Sequence, residues 1–202
     1  IRLGQARANR SGTPWPRVPS VRGNRPWYVL GKIVSGDVLL PQFRAERHHV
    51  IDNPDRVPVN NSAWWGSWLD PAHREVGVAL LNSTWMALAA EVIGRVNLGE
   101  GLLTCYGPDL DYLPMPDPQL FLGTAPGDRL LTAWRSLRER DVLPLHEEVC
   151  RRDRIALDDA VVDGLGVARS AGEQIRTAAA RLCAERLDLA TRLRSARGGE
   201  SS

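Results

Sequence analysis

The apolar residues change their spacing once along this chain, near residue 65, and that change restricts the fold more than any other feature. Between Pro26 and Ser62 they come as short runs, "WYVLGKIV", "DVLLPQF", "HHVID" and "VPVNN", rich in Val, Ile and aromatics and separated by "SGD" and "DNPDR". Runs of this length and composition, broken by turn residues, are strand and hairpin signals. Asn53-Pro54-Asp55 is turn chemistry, because Pro presets φ and Asn and Asp bond their own backbone. A small antiparallel sheet is expected here.

From Asp70 the spacing becomes helical. Asp70 is a cap and Pro71 a first helical residue. Val76, Leu80, Leu81, Trp85, Leu88, Val92 and Ile93 then cover a broad face, which predicts one largely buried helix ending at Gly94. Prolines 114, 116 and 118 mark a boundary. Beyond it, "GDRLLTAWRSLRERDVLP", "DRIALDDAVVDGLG" and "SAGEQIRTAAARLCAERLDLATRLRSA" read as helices, the last with a solvated Arg/Glu face, and "RGGESS" as a frayed end. The expectation is an α+β chain. A small antiparallel or mixed sheet with a buried helix spans 26–116, and a helical segment spans 117–202. Residues 1–25, rich in Arg, Gly, Ser and Pro and without an apolar period, read as a flexible arm or linker.

Charge is uneven. Residues 1–60 hold ten basic and four acidic residues, whereas 61–202 hold sixteen and twenty. A polyanion would sit on the first part. The only lysine is Lys32, and Arg suits bidentate contacts to phosphate or guanine. No run of eighteen apolar residues occurs, and the first residues lack the apolar stretch of a secretory signal. Cys105, Cys150 and Cys183 are odd in number and far apart, which suits a reducing, cytoplasmic setting. On that reading the N-x-S/T sequences at Asn9, Asn60 and Asn82 are chance. The start without Met reads as that of a fragment or processed piece.

Common catalytic patterns find no support. His48 and His49 are adjacent, so on a strand they point to opposite faces, while His73 and His146 are isolated. There is no G-x-S-x-G, and the G-x-G strings in "NLGEGLL" and "DGLGVARSAG" lack the setting of a phosphate cradle. Glu147-Glu148, Asp158-Asp159 and the pair Asp109 and Asp111 read as cap and surface charges. The stretch "RAERHHVIDNPDRVPVNNSAWWG" remains. It offers Arg44, Arg47, His48, His49, Asn60, Asn61 and Ser62 for phosphates and base edges, with Trp64 and Trp65 to stack or to support the loop. The plainer alternative makes the tryptophans core and the asparagines turn residues.

The order of these motifs resembles the C-terminal target-recognition region of TaqI-like adenine-specific DNA methyltransferases, a group of bacterial restriction–modification and phage-defence enzymes. The matching pieces are the basic strands Leu40–Arg47, the strand end Val59–Ser62, Leu81-Asn82-Ser83, the glycine-containing Asn97–Gly101 and the exit Leu110–Pro116. The resemblance spans roughly residues 26–190. It implies a DNA target-recognition domain over 26–116 that grips double-stranded DNA while a partner catalytic domain, in cis or trans, extrudes the adenine. It implies phosphate contacts by Lys32, Arg44 and Arg47, and base-edge contacts by His48, His49, Asn60 and Asn61. The family's S-adenosylmethionine site and its Asn/Asp-Pro-Pro-aromatic motif have no counterpart here. Asn53-Pro54-Asp55-Arg56 lacks the second Pro and the aromatic. The cofactor and the catalytic residues are therefore expected in that other domain, with none in this chain. A protein–protein interaction module, or a small enzyme of another kind, are the rival expectations.

Overall fold

The computed structural model describes residues 2–23, 26–28, 34–96 and 101–199. Lys32, and Asn97, Leu98, Gly99 and Glu100 of the glycine-containing motif, lie outside the described residues. The chain divides into two compact units, Ile1–Ser35 and Gly36–Ser202.

The first unit was expected to be a featureless arm as far as residue 25, yet it contains hydrogen-bonded structure. Helix α1 (Arg2–Ala6) is followed by a turn built on Asn9. The Asn9 backbone N–H donates to Thr13 O, and its side-chain oxygen accepts from the N–H groups of Ser11 and Thr13. Gly12 closes this turn at φ +75°, where a residue without Cβ meets no steric penalty. A 3-10 turn covers Trp15–Arg17, and the Trp27 ring meets Tyr28 edge-on at 5.9 Å between centroids. Such turns leave no hydrophobic period, so the pattern along the sequence cannot show them.

The second unit is α+β, as the change of period requires. Its first part carries β1 (Val38–Pro41), β2 (Phe43–Arg44), β3 (Ile51–Asp52) and β4 (Ala63–Gly66). Helices α2 (Arg74–Leu81) and α3 (Thr84–Ile93), strands β5 (Arg95–Val96) and β6 (Leu103–Thr104), and the short α4 (Gly107–Leu110) follow. The helical part is α5 (Ala125–Leu137), α6 (Leu145–Glu148), α7 (Arg152–Gly164) and α8 (Arg169–Gly199). The strands form two antiparallel three-stranded sheets, ordered β3-β1-β4 and β2-β6-β5. Gln42 joins them: its N–H donates to Ser62 O, and its carbonyl accepts from Cys105 N.

The single helix expected from Asp70 to Gly94 is two helices, bent by 70°. Asp70 does accept from Ala72 N, and Pro71 opens a 3-10 turn ahead of α2. The break comes from Asn82 and Ser83. The Ser83 hydroxyl donates to Leu80 O, its side chain accepts from Met86 N, and so it caps α3. Gly94 ends α3 in an extended conformation, and a Cβ there would lie 2.6 Å from Ala90 O and from the Leu103 side chain. Around the break, Val38, Val50, Leu80, Met86, Trp134 and Leu157 are part of the main core, shared by the first sheet, α2, α5 and α7. Helix α8 packs through Ala179 and Cys183 against Ala87 and Leu145. No single helix among the described residues is long and apolar enough to cross a membrane.

Two charge expectations are corrected. One member of two carboxylate pairs is buried rather than superficial, Glu148 and Asp158, whereas Asp109 is the expected cap charge, accepting from Tyr106 N–H at the start of α4, though itself buried. Neighbours on a helix face different ways, so one carboxylate of a pair points inward and is held there by arginine or backbone N–H groups. The Arg/Glu face of α8 is also incomplete. Arg181–Glu185 and Asp188–Arg192 are solvated pairs, but Arg186 is buried, donating to Glu91 at 2.8 Å and to Ala45 O at 2.7 Å.

Candidate nucleic-acid interface

The loop from β3 to β4 is fixed at its start and open at its end. Asn53 is buried, its amide donates to Gly36 O and Val57 O, and its oxygen accepts from Val57 N. Arg56, at φ +49°, pairs with Asp37 at 2.8 Å. Past this clamp Asn60, Asn61 and Ser62 are exposed. The Asn60 oxygen accepts from both the N–H and the hydroxyl of Ser62, which leaves its NH2 group for a ligand. The Asn61 side chain has no hydrogen bond among the described residues.

Strand β4 splits the two tryptophans by alternation. The half-buried Trp64 donates Nε1–H to Cys105 O at 2.9 Å and lies over Gly107. These contacts tie β4 to the segment before α4. Trp65 points to the opposite side and is 47 % exposed. On β1 it faces Leu39, whose other neighbour, on β3, is Ile51. Trp65 and Ile51 thus form the exposed ends of one apolar row across the sheet.

Arg44 and His48 are corrections. Both are buried and, as placed, reach neither phosphate nor base. Arg44 alternates with the exposed Phe43 on β2, and its Nε and Nη1 have no hydrogen-bond partner among the described residues. It borders a small cavity of about 10 Å³ lined also by Glu91, His48 and Cys183, room for about one water. The Nε2–H of His48 donates to Leu81 O at 2.9 Å. Arg47 is exposed, 4.0 Å from Glu46. His49 is half-buried with Nδ1 unpartnered. Of the ten candidates, Lys32 lies outside the described residues, Arg47, Asn60, Asn61, Ser62 and Trp65 face solvent, His49 partly does, and Trp64, Arg44 and His48 build the support.

Burial, reinforced by the nearby Arg44 charge, holds His48 well below the ordinary histidine value of 6.5. The unfolded chain takes up a proton near that value and the folded chain does not. His48's contribution is therefore complete above it and is lost as pH falls toward the folded value. Stability at pH 5.5 is expected to be about 1–2 kcal/mol below that at pH 7.5. Urea midpoints at the two pH values check this, and equal midpoints would contradict it.

Two contributors escaped the sequence reading. Phe43 follows once Arg44 is known to point inward. Arg95 lies 5.5 Å over the exposed Tyr106 ring and donates to Asp109 at 2.6 Å. Neither long-range pairing has a local signal. Among the described residues no group of three or more His, Cys, Asp or Glu is placed to hold a metal, and Cys105, Cys150 and Cys183 are free thiols. Compared with protein-family models, curated proteins and solved structures, the chain matches none.

Proposed function

We propose that this chain is the sequence-reading part of an adenine-specific, S-adenosylmethionine-dependent DNA methyltransferase of a restriction–modification or phage-defence system. In this reading it binds double-stranded DNA, and a catalytic domain in cis or trans extrudes and methylates the adenine. Extrusion costs a few kcal/mol of unstacking, least at a weakened pair. The motif order supports the reading, and the contacts add to it. Asn82 of Leu81-Asn82-Ser83 clasps Val50, next to the paired histidines, by accepting from its N–H and donating to its C=O, both at 2.9 Å. The segment after the paired histidines is therefore joined in space to Leu81-Asn82-Ser83, far from it in sequence.

The observation that carries the proposal is the free Asn61 amide, exposed at the end of a clamped loop two residues before β4. An asparagine reads adenine by donating to N7 and accepting from N6, so it needs both its oxygen and its NH2 uncommitted. Asn61 meets that condition, whereas the Asn60 oxygen is taken by Ser62. Asn61→Ala is expected to lose about 1–3 kcal/mol of preference for adenine at one position, with non-specific affinity nearly unchanged. Sequencing duplexes retained from a random pool by wild type and variant measures this. An unchanged preference in Asn61→Ala would refute the assignment.

A second reading, a protein–protein interaction module, is favoured by α8. Leu189 and Leu193 are exposed there beside Val96, along an open groove of about 420 Å³. A catalytic subunit is the partner that the first reading would seat there. Strong association with such a subunit, without any DNA affinity of this chain, would favour the second reading.

A further inference from the structure

We infer that the compact unit Ile1–Ser35, rather than the strands that follow it, grips the phosphodiester backbone of duplex DNA; this rests on the DNA-recognition reading above. The charge excess of the first sixty residues lies entirely within this unit. Residues 1–35 contain seven basic residues and no acidic one, while residues 36–60 contain three basic and four acidic. Of those three, Arg44 is buried, Arg56 is neutralised by Asp37, and Arg47 lies beside Glu46.

Arg2, Arg7, Arg10, Arg17 and Arg22 are all exposed, and none pairs with an acid among the described residues. Most arginines of the second unit are paired, although Arg138, Arg151, Arg152 and Arg194 hold no carboxylate among the described residues. Arg74, Arg95, Arg135, Arg140, Arg154 and Arg186 each hold a carboxylate at 3.1 Å or less. A surface left with cations of one sign and no counter-charge attracts a polyanion and releases its condensed ions on contact.

The local structure suits that role. The arginines stand on a folded scaffold, since the Asn9 turn sets Arg10 at its tip and Arg17 closes the 3-10 turn. A compact unit of 35 residues has a radius of gyration of about 8–9 Å. Duplex DNA carries one charge per about 1.7 Å of axis, so a footprint of that size spans several phosphates. Guanidinium forks match phosphate oxygens bidentately. Division of labour follows: this unit supplies affinity without sequence, and the Asn61 loop supplies sequence with little affinity.

The test measures binding of a random-sequence duplex by the full chain, by fluorescence anisotropy, between 50 and 200 mM NaCl. The variant replaces Arg2, Arg7, Arg10, Arg17 and Arg22 by Gln. Circular dichroism confirms its fold, which these exposed side chains do not support. Each lost phosphate contact removes about 0.9 from the slope of log K against log salt, so the slope should fall by about 4–5. A control with the paired Arg129, Arg135, Arg181 and Arg192 replaced by Gln should keep its slope within about 1. An unchanged slope in the five-residue variant, with wild type binding, overturns the assignment to this unit and leaves the DNA reading standing. No duplex binding by wild type at any salt overturns both. Tighter binding of phosphatidylserine vesicles than of duplex at equal salt overturns it in favour of a membrane surface.

Discussion

Glu148→Ala is expected to destabilise the chain by about 3–5 kcal/mol, the range seen when one partner of a buried ion pair is removed. Glu148 is 1 % exposed and Arg154, its partner at 3.1 Å, is 2 % exposed. Burial alone would push the Glu148 carboxyl up, but the arginines 140 and 154 and the Leu143 N–H together hold it below the usual carboxylate value. Without that carboxylate Arg154 keeps, among the described residues, only the Asn82 carbonyl as a hydrogen-bond acceptor, and its charge stays in the interior near Asp158. At about 2–4 °C per kcal/mol for a chain of this size, the melting temperature should fall by roughly 6–20 °C. Glu147→Ala, one residue away and half exposed, should stay within about 0.5 kcal/mol. A thermal melt of the two variants checks the pair, and equal small losses would mean that Arg154 escapes to water.

Asn82→Ala is expected to cost about 2–4 kcal/mol. Its amide satisfies the N–H and the C=O of Val50 and donates to Val78 O. Val50 is itself buried, and each group left without a partner costs about 1–3 kcal/mol. The loss should appear as a lower urea midpoint with an unchanged m value. A loss below about 1 kcal/mol would show that water enters and replaces the clasp. Arg154 donates to the Asn82 carbonyl, so the double variant with Glu148→Ala should not be additive, because both substitutions act on one network. Asn82 holds Val50, the residue before β3, and β3 leads into the Asn61 loop, so on the DNA-recognition reading Asn82→Ala should also weaken selectivity, although Asn82 is not exposed.

How far the sequence could be read depended on whether a signal was local. The change of spacing near residue 65 announced the α+β class, and Asp70-Pro71 marked a helix start that the structure contains. The break at Asn82-Ser83 was hidden by an apolar run that continues through it, although a serine before Thr84 is itself a capping signal. Arg44 on a strand reads as a surface cation. What buries it is β2 pairing with β6, residues 103–104, and its nearness to Glu91 on α3, and nothing near residue 44 announces either. The same holds for Glu148 and Asp158, whose partners Arg154, Thr84 and Arg176 come from other turns or other helices. The asparagine loop was legible because turn chemistry is a local rule, whereas the sequence reading left Trp64 and Trp65 undivided and β4 alternation separates them.

On the proposed function the chain reads DNA sequence. The most direct measurement is selection of bound duplexes from a random pool by the wild-type chain, followed by sequencing. Recognition through Asn61 predicts recovery of one short motif containing an adenine. A retained pool with the base composition of the input, or no retention at low salt, would contradict it.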